Sequence, residues 1–200
     1  MDGIDWAASA MSAARARLDI STTNLANVSS DGFRKVVARG ALTAHGAAIV
    51  SQRSSEHGGL RRTGRDYDIA IVGDGAFRVR NSGGAISTTR NGAFTRAADG
   101  SLRTDAGAAL LGLRGPVRVP DGAKIDDAGR VMLAGKQIDR IIVGAGASLR
   151  TGFLESANVN AIDEMVNMLA AQRSFESAEK VVSAIDQTRQ KASNDIARLK

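Results

Sequence analysis

Two segments patterned in heptads stand at opposite ends of this 200-residue chain, across 4–28 and 161–199, and they constrain the fold more than anything between them. In the first, Ile4, Met11, Leu18 and Leu25 recur every seven residues, with Ala7, Ala14, Ser21 and Val28 three places later. In the second, Met168, Phe175, Val182 and Ile196 hold one column, and Ala171, Ala178, Ile185, Ala192 and Leu199 hold the other. Only Glu164 and Arg189 interrupt it. Such spacing predicts two helices, each with one apolar seam. Small residues in the second column let helix axes approach closely while Leu, Met, Phe and Ile fill the gaps. The two helices can therefore zip together and bring the ends of the chain side by side. At ~1.5 Å per residue the seams span roughly 37 Å and roughly 58 Å, so the longer helix keeps apolar surface that its partner does not reach. Such surface usually finds another subunit, and a non-isologous contact repeated head to tail generates a filament.

Local signals bound the elements. The first helix is expected to start at an Asp2 cap, with Asp5 in its first turn, and to stop near Asn27, before Ser29, Ser30, Asp31 and Gly32. The second has the same grammar: Gly152 breaks the chain, Asn160 caps, and Asp163 follows at the third position. Residues 36–65 alternate short apolar runs with Gly, Ser and Arg and read as a linker with one strand. From Asp66 the pattern shortens to strand candidates at Ile69–Val72, Ala76–Arg80, Ile86–Arg90, Leu110–Leu113, Val117–Val119, Val131–Leu133 and Ile138–Val143. Turn signals such as Gly73-Asp74-Gly75, Gly83-Gly84 and Asp99-Gly100 separate them. The predicted class is α+β. Helical segments at 1–35 and 151–200 pair as a coiled-coil-like unit, with the linker and a central all-β domain over 66–150 between them.

The net charge of +6 raises the question of a polyanionic partner, and its distribution answers it. Residues 1–35 carry four basic and four acidic side chains and 162–200 carry six of each, so both seams are neutral. The excess sits mostly in the linker, where Arg39, Arg53, Arg61, Arg62 and Arg65 face Glu56 alone. A nucleic-acid surface more often sets basic residues along one face with aromatics interleaved, and none of the seven aromatics lies among these arginines. With no cysteine, neither a disulfide framework nor a thiolate metal site is available. The N-terminal region never runs apolar for the length of a signal peptide or membrane span, so membrane insertion is not expected and export would need another route.

No catalytic constellation emerges. His45 and His57 lie in the linker with only Glu56 nearby, and solvated loop residues are the default over a metal site. Gly73-Asp-Gly75 and Gly144-Ala-Gly146 lack a third glycine and a following helix, so they read as turns rather than a dinucleotide site. Asp126 and Asp127 fall at a predicted hairpin tip and read as solvated turn residues. No catalytic residue, cofactor or metal ligand is assigned.

Several of these stretches resemble one family. Asn24-Leu-Ala-Asn-Val-Ser-Ser-Asp-Gly-Phe-Arg-Lys35 is similar to the signature near the N-terminus of bacterial flagellar basal-body rod and hook proteins. Leu154-Glu-Ser-Ala-Asn-Val-Asn160, followed by Glu164-Met-Val and Ala171-Gln-Arg-Ser-Phe175, resembles their C-terminal signature. Asp68-Ile-Ala-Ile-Val-Gly-Asp-Gly-Ala-Phe77 and Thr89-Arg-Asn-Gly-Ala-Phe94 look like the β-domain motifs of the rod proteins that carry one. The resemblance implies an axial structural subunit that polymerises helically with copies of itself and with other flagellar rod and hook subunits. It also implies a torque-transmitting shaft around an export channel, delivery by the flagellar type III export apparatus, and a place in the basal body within the periplasm or cell wall.

Carried over residue by residue, Asn24, Leu25, Asn27, Val28, Gly32 and Phe33 would belong to the subunit-packing end of the first helix. Glu155, Asn158, Asn160, Gln172, Arg173 and Phe175 would be the C-terminal counterparts. The seam residues Ile4, Met11, Leu18, Met168, Val182 and Ile185 complete the expected packing set. Ser30-Asp31 stands where the family commonly has Thr-Pro, and Ala76-Phe77-Arg78 where Gly-Phe-Phe is common, thinning the aromatic core. The chain is short for a rod protein with this domain and too long for the simplest proximal subunits, which leaves proximal and distal positions both open. The alternative is a basic module whose arginine-rich linker docks on nucleic acid or an acidic envelope polymer, a binding that salt would weaken steeply.

Overall fold

The structure, a computed structural model, describes residues 3–43, 46–144 and 146–198. Along the chain run α1 (Gly3–Ala26), β1 (Val36–Thr43), β2 (Gly46–Arg53), β3 (Leu60–Arg62), β4 (Ile69–Val72), β5 (Phe77–Arg80), β6 (Ile86–Thr89), β7 (Thr95–Arg96) and β8 (Leu102–Arg103). They are followed by β9 (Ala109–Gly112), β10 (Gly115–Pro116), β11 (Lys124–Ile125), β12 (Arg130–Leu133), β13 (Lys136–Arg140), β14 (Ser148–Thr151), β15 (Phe153–Glu155) and α2 (Ala161–Arg198). The class is α+β, with helices at the ends and strands between. The chain divides into a helical unit (Met1–Val28, Lys35–Ser55, Val159–Lys200) and a β unit (Ser29–Arg34, Glu56–Asn158).

In the helical unit α1 and α2 run antiparallel. A Cβ placed on Gly3 would lie 3.3 Å from Ile185 Cδ1, while Ile20 and Ser21 share a cleft with Glu164 and Ala171. Asn160 caps α2 as expected, its Oδ1 accepting from the Ile162 N–H at 3.0 Å, and Asp163 sits in the first turn where the helix dipole favours it. The Asp2 cap expected for α1, and Leu199 at the end of the second seam, lie outside the described residues. At its C-terminus α1 tightens into 3₁₀-type bonds, Asn27 N–H to Asn24 O and Val28 N–H to Leu25 O.

The seam closes on its small residues. Ala7, Ala14 and Ser21 of α1 and Ala171 and Ala178 of α2 are buried, whereas Ile4, Met11, Leu18 and Leu25, like Met168, Phe175 and Val182, are half-buried. Alanines bring the axes close and leave the larger column flanking the contact rather than filling it.

The uncovered part of α2 also differs from expectation. Asp186–Arg198 extends about 20 Å past the described start of α1, yet its side chains from Asp186 to Ala192 are exposed and almost all polar. The bare apolar surface lies instead at the opposite end of α2, in Ile162, Met165, Val166 and Leu169.

Residues 36–65, read above as a linker with one strand, carry three. β1 and β2 form an eight-by-eight antiparallel hairpin, registered from Val36↔Arg53 to Thr43↔Gly46. It contacts α1. β3 belongs to the β unit and pairs with β15, Leu60 opposite Glu155. The signal was obscured by Gly40, Gly46, Gly58 and Gly59, which look like linker residues but sit within or between pairing strands. Residues 148–155 likewise hold β14, paired with β4, and β15, where a connector and the start of the helical segment were expected.

The β unit has a dry core of Phe77, Phe94, Ile69, Leu102, Leu110, Val117, Val131 and their neighbours, most of them fully buried. Its largest sheet runs β6-β5-β9-β8-β7 with β10 on β9, beside the three-stranded β11-β12-β13. Phe77 and Phe94 meet edge to face, centroids 5.1 Å apart, so the thinner aromatic complement still provides a preferred ring contact. Val117 and Val119 are buried as a strand would bury them, but regular pairing there is limited to β10 and a single Arg118↔Ser101 bridge. Gly92 is needed sterically: a Cβ there would fall on the Ile69 carbonyl oxygen, whose residue donates its own N–H back to Gly92 O at 3.0 Å.

Candidate functional site

Among the described residues no group of three or more His, Asp or Glu is placed to hold a metal ion. The carboxylates whose titration is displaced lie at hairpin tips. Asp99 is drawn down from 3.8 to about 2, chiefly by the Ser101 hydroxyl and N–H, with Arg103 adding to it. At Asp126 burial pushes upward, but hydrogen bonds from the Arg130 N–H and guanidinium and from the Ala128 N–H outweigh it and hold the carboxyl below its usual range. Asp126, read above as a solvated turn residue, thus braces its turn, as Asp99 does at the Asp99–Arg103 tip. What the fold prepares is a surface, and it is built from three parts.

The first is a clamp within the helical unit. Asn24, 1 % exposed on the last full turn of α1, donates from Nδ2 to Val36 O at 2.8 Å and accepts at Oδ1 from Val36 N–H at 2.7 Å. Both backbone groups of Val36 are satisfied by one amide, which fixes where the β1–β2 hairpin leaves the helix. Asn27 donates to Thr23 O at 2.9 Å, and Leu25 and Val28 are half-buried beside it.

The second is a polar node in the β unit that uses both terminal signatures. Gly32, at φ +70°, donates to Glu155 O at 2.6 Å and lies so close to Arg90 and Asn91 that a side chain would strike their backbone. Arg90 is 7 % exposed. Its guanidinium donates to Glu155 Oε2 at 2.7 Å and to the carbonyls of Ile71, Gly73 and Gly75. Glu155 is 2 % exposed and accepts a further bond from Gly58 N–H. A buried pair with every partner in place is structural, and a single deletion would strand the other charge. His57 is an exposed loop residue, as expected, at the rim of this node, its Nδ1 accepting from Arg34 at 2.9 Å with Asp74 and Glu155 at 3.4 and 3.6 Å. Phe33 O accepts from Asn158 N–H, and Asn158 Nδ2 donates to Glu56 O. His45 lies outside the described residues.

The third part is the outer surface of α2. Gln172 and Arg173 are exposed, and Gln172 bonds only along its own helix, to Glu176 at 3.2 Å. Glu164, at a small-residue position of the seam, is 6 % exposed and lines a cleft of about 360 Å³ with Arg17, Lys35, Val36 and Ala171. The sequence pattern marked Glu164 only as an interruption. The Ile162, Met165, Val166, Leu169 stripe was missed because its spacing repeats the helical period on the side away from the heptad columns. Of the five linker arginines, Arg61 holds Asp31 at 3.0 and 3.1 Å and Arg65 approaches buried Asp68 at 3.5 Å. The five are divided between the two units, Arg39 and Arg53 in the helical unit and Arg61, Arg62 and Arg65 in the β unit.

Comparison with known proteins matches three stretches of the chain. Residues 4–34 match the model described as flagella basal body rod protein, 70–133 the D1 domain of the flagellar hook protein FlgE/F/G, and 150–195 the C-terminal region of flagellar basal body rod FlgEFG proteins. The flagellar basal-body rod protein FlgF of Caulobacter vibrioides is 30% identical over 84% of this chain and 86% of its own length. The rod protein FlgG of Bacillus subtilis is 27% identical over 89% and 92%, and FlgF of Escherichia coli 28% over 84% and 87%. No match supports the nucleic-acid or acidic-polymer alternative.

Proposed function

Because this chain belongs to the flagellar basal-body rod protein family and is a structural rod subunit of the basal body, we propose that its paired terminal helices are the surface through which it polymerises. The observation that carries this reading is the composition of the helical unit's interior. Among its described residues the buried side chains are five alanines with Ser21, Asn24 and Glu164. A helix pair that buries so little gains little from folding alone. Its half-buried column of Ile4, Met11, Leu18, Met168, Phe175, Val182 and Ile185 is the surface left to bury. Full burial of such a side chain is worth ~1.5 to 3 kcal/mol; assembly gains the part still uncovered, and a polymer repeats that gain at every subunit.

Asn24, Gly32, Glu155, Asn158 and Asn160 act one step back. Asn24 and Asn160 fix the ends of the helices and Gly32, Glu155 and Asn158 brace the β unit's node, while Leu25, Asn27, Val28, Phe33, Gln172 and Arg173 meet neighbours. In this reading the neighbours are further copies and other rod or hook subunits. The shaft they form transmits torque around an export channel, outside the cytoplasm in periplasm or cell wall, and the chain reaches it through the type III export apparatus. No described helix is long and apolar enough to cross a membrane, which fits a subunit held by protein contacts.

The test is assembly against folding. Leu18→Asp and Phe175→Asp should each abolish motility and rod assembly while the β unit keeps its unfolding midpoint. Normal swimming in both variants would remove the helices from the packing surface.

A further inference from the structure

At 100° per residue, Ile162, Met165, Val166 and Leu169 centre on a direction roughly 180° from the seam of α2, so the first turns of this helix are apolar on two opposite faces. One face meets α1 through Glu164, Met168 and Ala171. The other is bare, its four side chains 50% to 71% exposed. The only tryptophan of the chain, Trp6, is itself 51% exposed near the other end of the helix pair. Since Gly3 lies beside Ile185 and Ser21 shares a cleft with Ala171, Trp6 and the centre of the stripe are separated by about eighteen residues of helix, or roughly 27 Å. Trp6 cannot reach the stripe of its own chain.

We infer that Trp6 of one copy docks on the Ile162–Leu169 stripe of a second copy, a head-to-tail contact that deepens the proposed rod-subunit reading and rests on it. The occupant follows from complementarity within the chain. The stripe is flat, aliphatic and uncharged; Trp6 is a large ring left in water, the residue type that most often anchors an interface. Docked head to tail, each subunit keeps one free patch at either end, the condition for an open polymer, whereas a reciprocal two-fold pairing would use both patches and close. Four aliphatic side chains fall short of the roughly 800 Å² per partner that a lone stable dimer needs. A contact this small suits a subunit held by several neighbours, and the stagger it sets between docked copies is roughly 27 Å along the helix pair.

The experiment uses the full chain in cells from which its gene has been deleted. Both patches are exposed on the monomer, so Leu169→Lys and Trp6→Glu should leave the circular dichroism and unfolding of purified protein unchanged. Each alone should abolish swimming. Combining the two substitutions sets opposite charges face to face across the contact, and swimming should return in part. In wild-type basal bodies the single tryptophan should be several-fold less accessible to acrylamide than in dilute monomer. Single variants that swim normally overturn the contact and leave the rod-subunit reading standing, as does loss of swimming in both with no recovery in the pair. A deletion strain that swims like its parent sinks the rod-subunit reading itself, and this inference with it.

Discussion

The two units of this chain are held together by opposite means. The β unit closes around fully buried Phe, Ile, Leu and Val and a buried Arg90–Glu155 pair with its hydrogen bonds made. The helical unit, built from longer elements, buries alanines, a serine, an asparagine and a glutamate. Apolar area removed from water is the main favourable term in folding, so the β unit has the means to be stable alone and the helical unit does not. The difference separates two tasks. One region is finished within the subunit; the other keeps its large side chains half-buried, where, in the proposed reading, a neighbour completes it.

The largest expected effect lies in the β unit. Phe94→Ala removes a fully buried ring in contact with Phe77 and should cost ~3 to 5 kcal/mol in denaturant unfolding. Amides of 165–194 should exchange fast in dilute wild type and no faster in the variant. Equal loss of protection in both regions would break the contrast by showing one cooperative body.

Arg90→Met should cost a similar ~3 to 5 kcal/mol, because Glu155 is left buried without its partner. Adding Glu155→Gln should recover part of that, and a double-mutant cycle with no coupling would mean the pair contributes little. Next comes Asn24→Ala in the helical unit, which strands both backbone groups of Val36 and should cost ~1 to 3 kcal/mol. Its readout is accelerated exchange at the Val36 amide with the β unit unchanged; unaltered exchange would show that the hairpin is held by something else.

The smallest effect is a pH dependence. Asp99 titrates lower folded, at about 2, than its ordinary 3.8, so its contribution is full above about 4 and is lost as pH falls toward 2. Chemical shifts at the Asp99–Arg103 tip should follow this, and Asp99→Asn should abolish the dependence.

Much of this was legible in the chain. Heptad columns located α1 and α2 to within a few residues, since a period of seven admits few other structures, and Asn160 announced its cap. Short β-rich runs between glycines located β4, β5, β6, β9, β12 and β13. The β1–β2 hairpin was not legible: Gly40 and the alanines of 46–48 carry no strand signal, and their pairing is fixed by register with each other and by Asn24 gripping Val36. β14 and β15 were hidden for a related reason. They pair with β4 and β3, roughly 80 to 95 residues away, and nothing local to Ser148–Glu155 encodes a partner at that distance. Glu155 and Gly32 could be named from a signature, yet their bond to each other through the Gly32 N–H, with Arg90 beneath, could not.

By itself the sequence determined the periodicities, and with them two terminal helices flanking a β region, the neutrality of the seams and the family to which the motifs belong. Those are local or compositional properties, set by side-chain spacing along a backbone with few choices. Tertiary structure alone decided which column of each seam is buried, where the bare apolar stripe lies, and which charges are sealed. Each depends on how closely two helix axes approach and which distant strands meet, distances in space that no spacing along the chain contains.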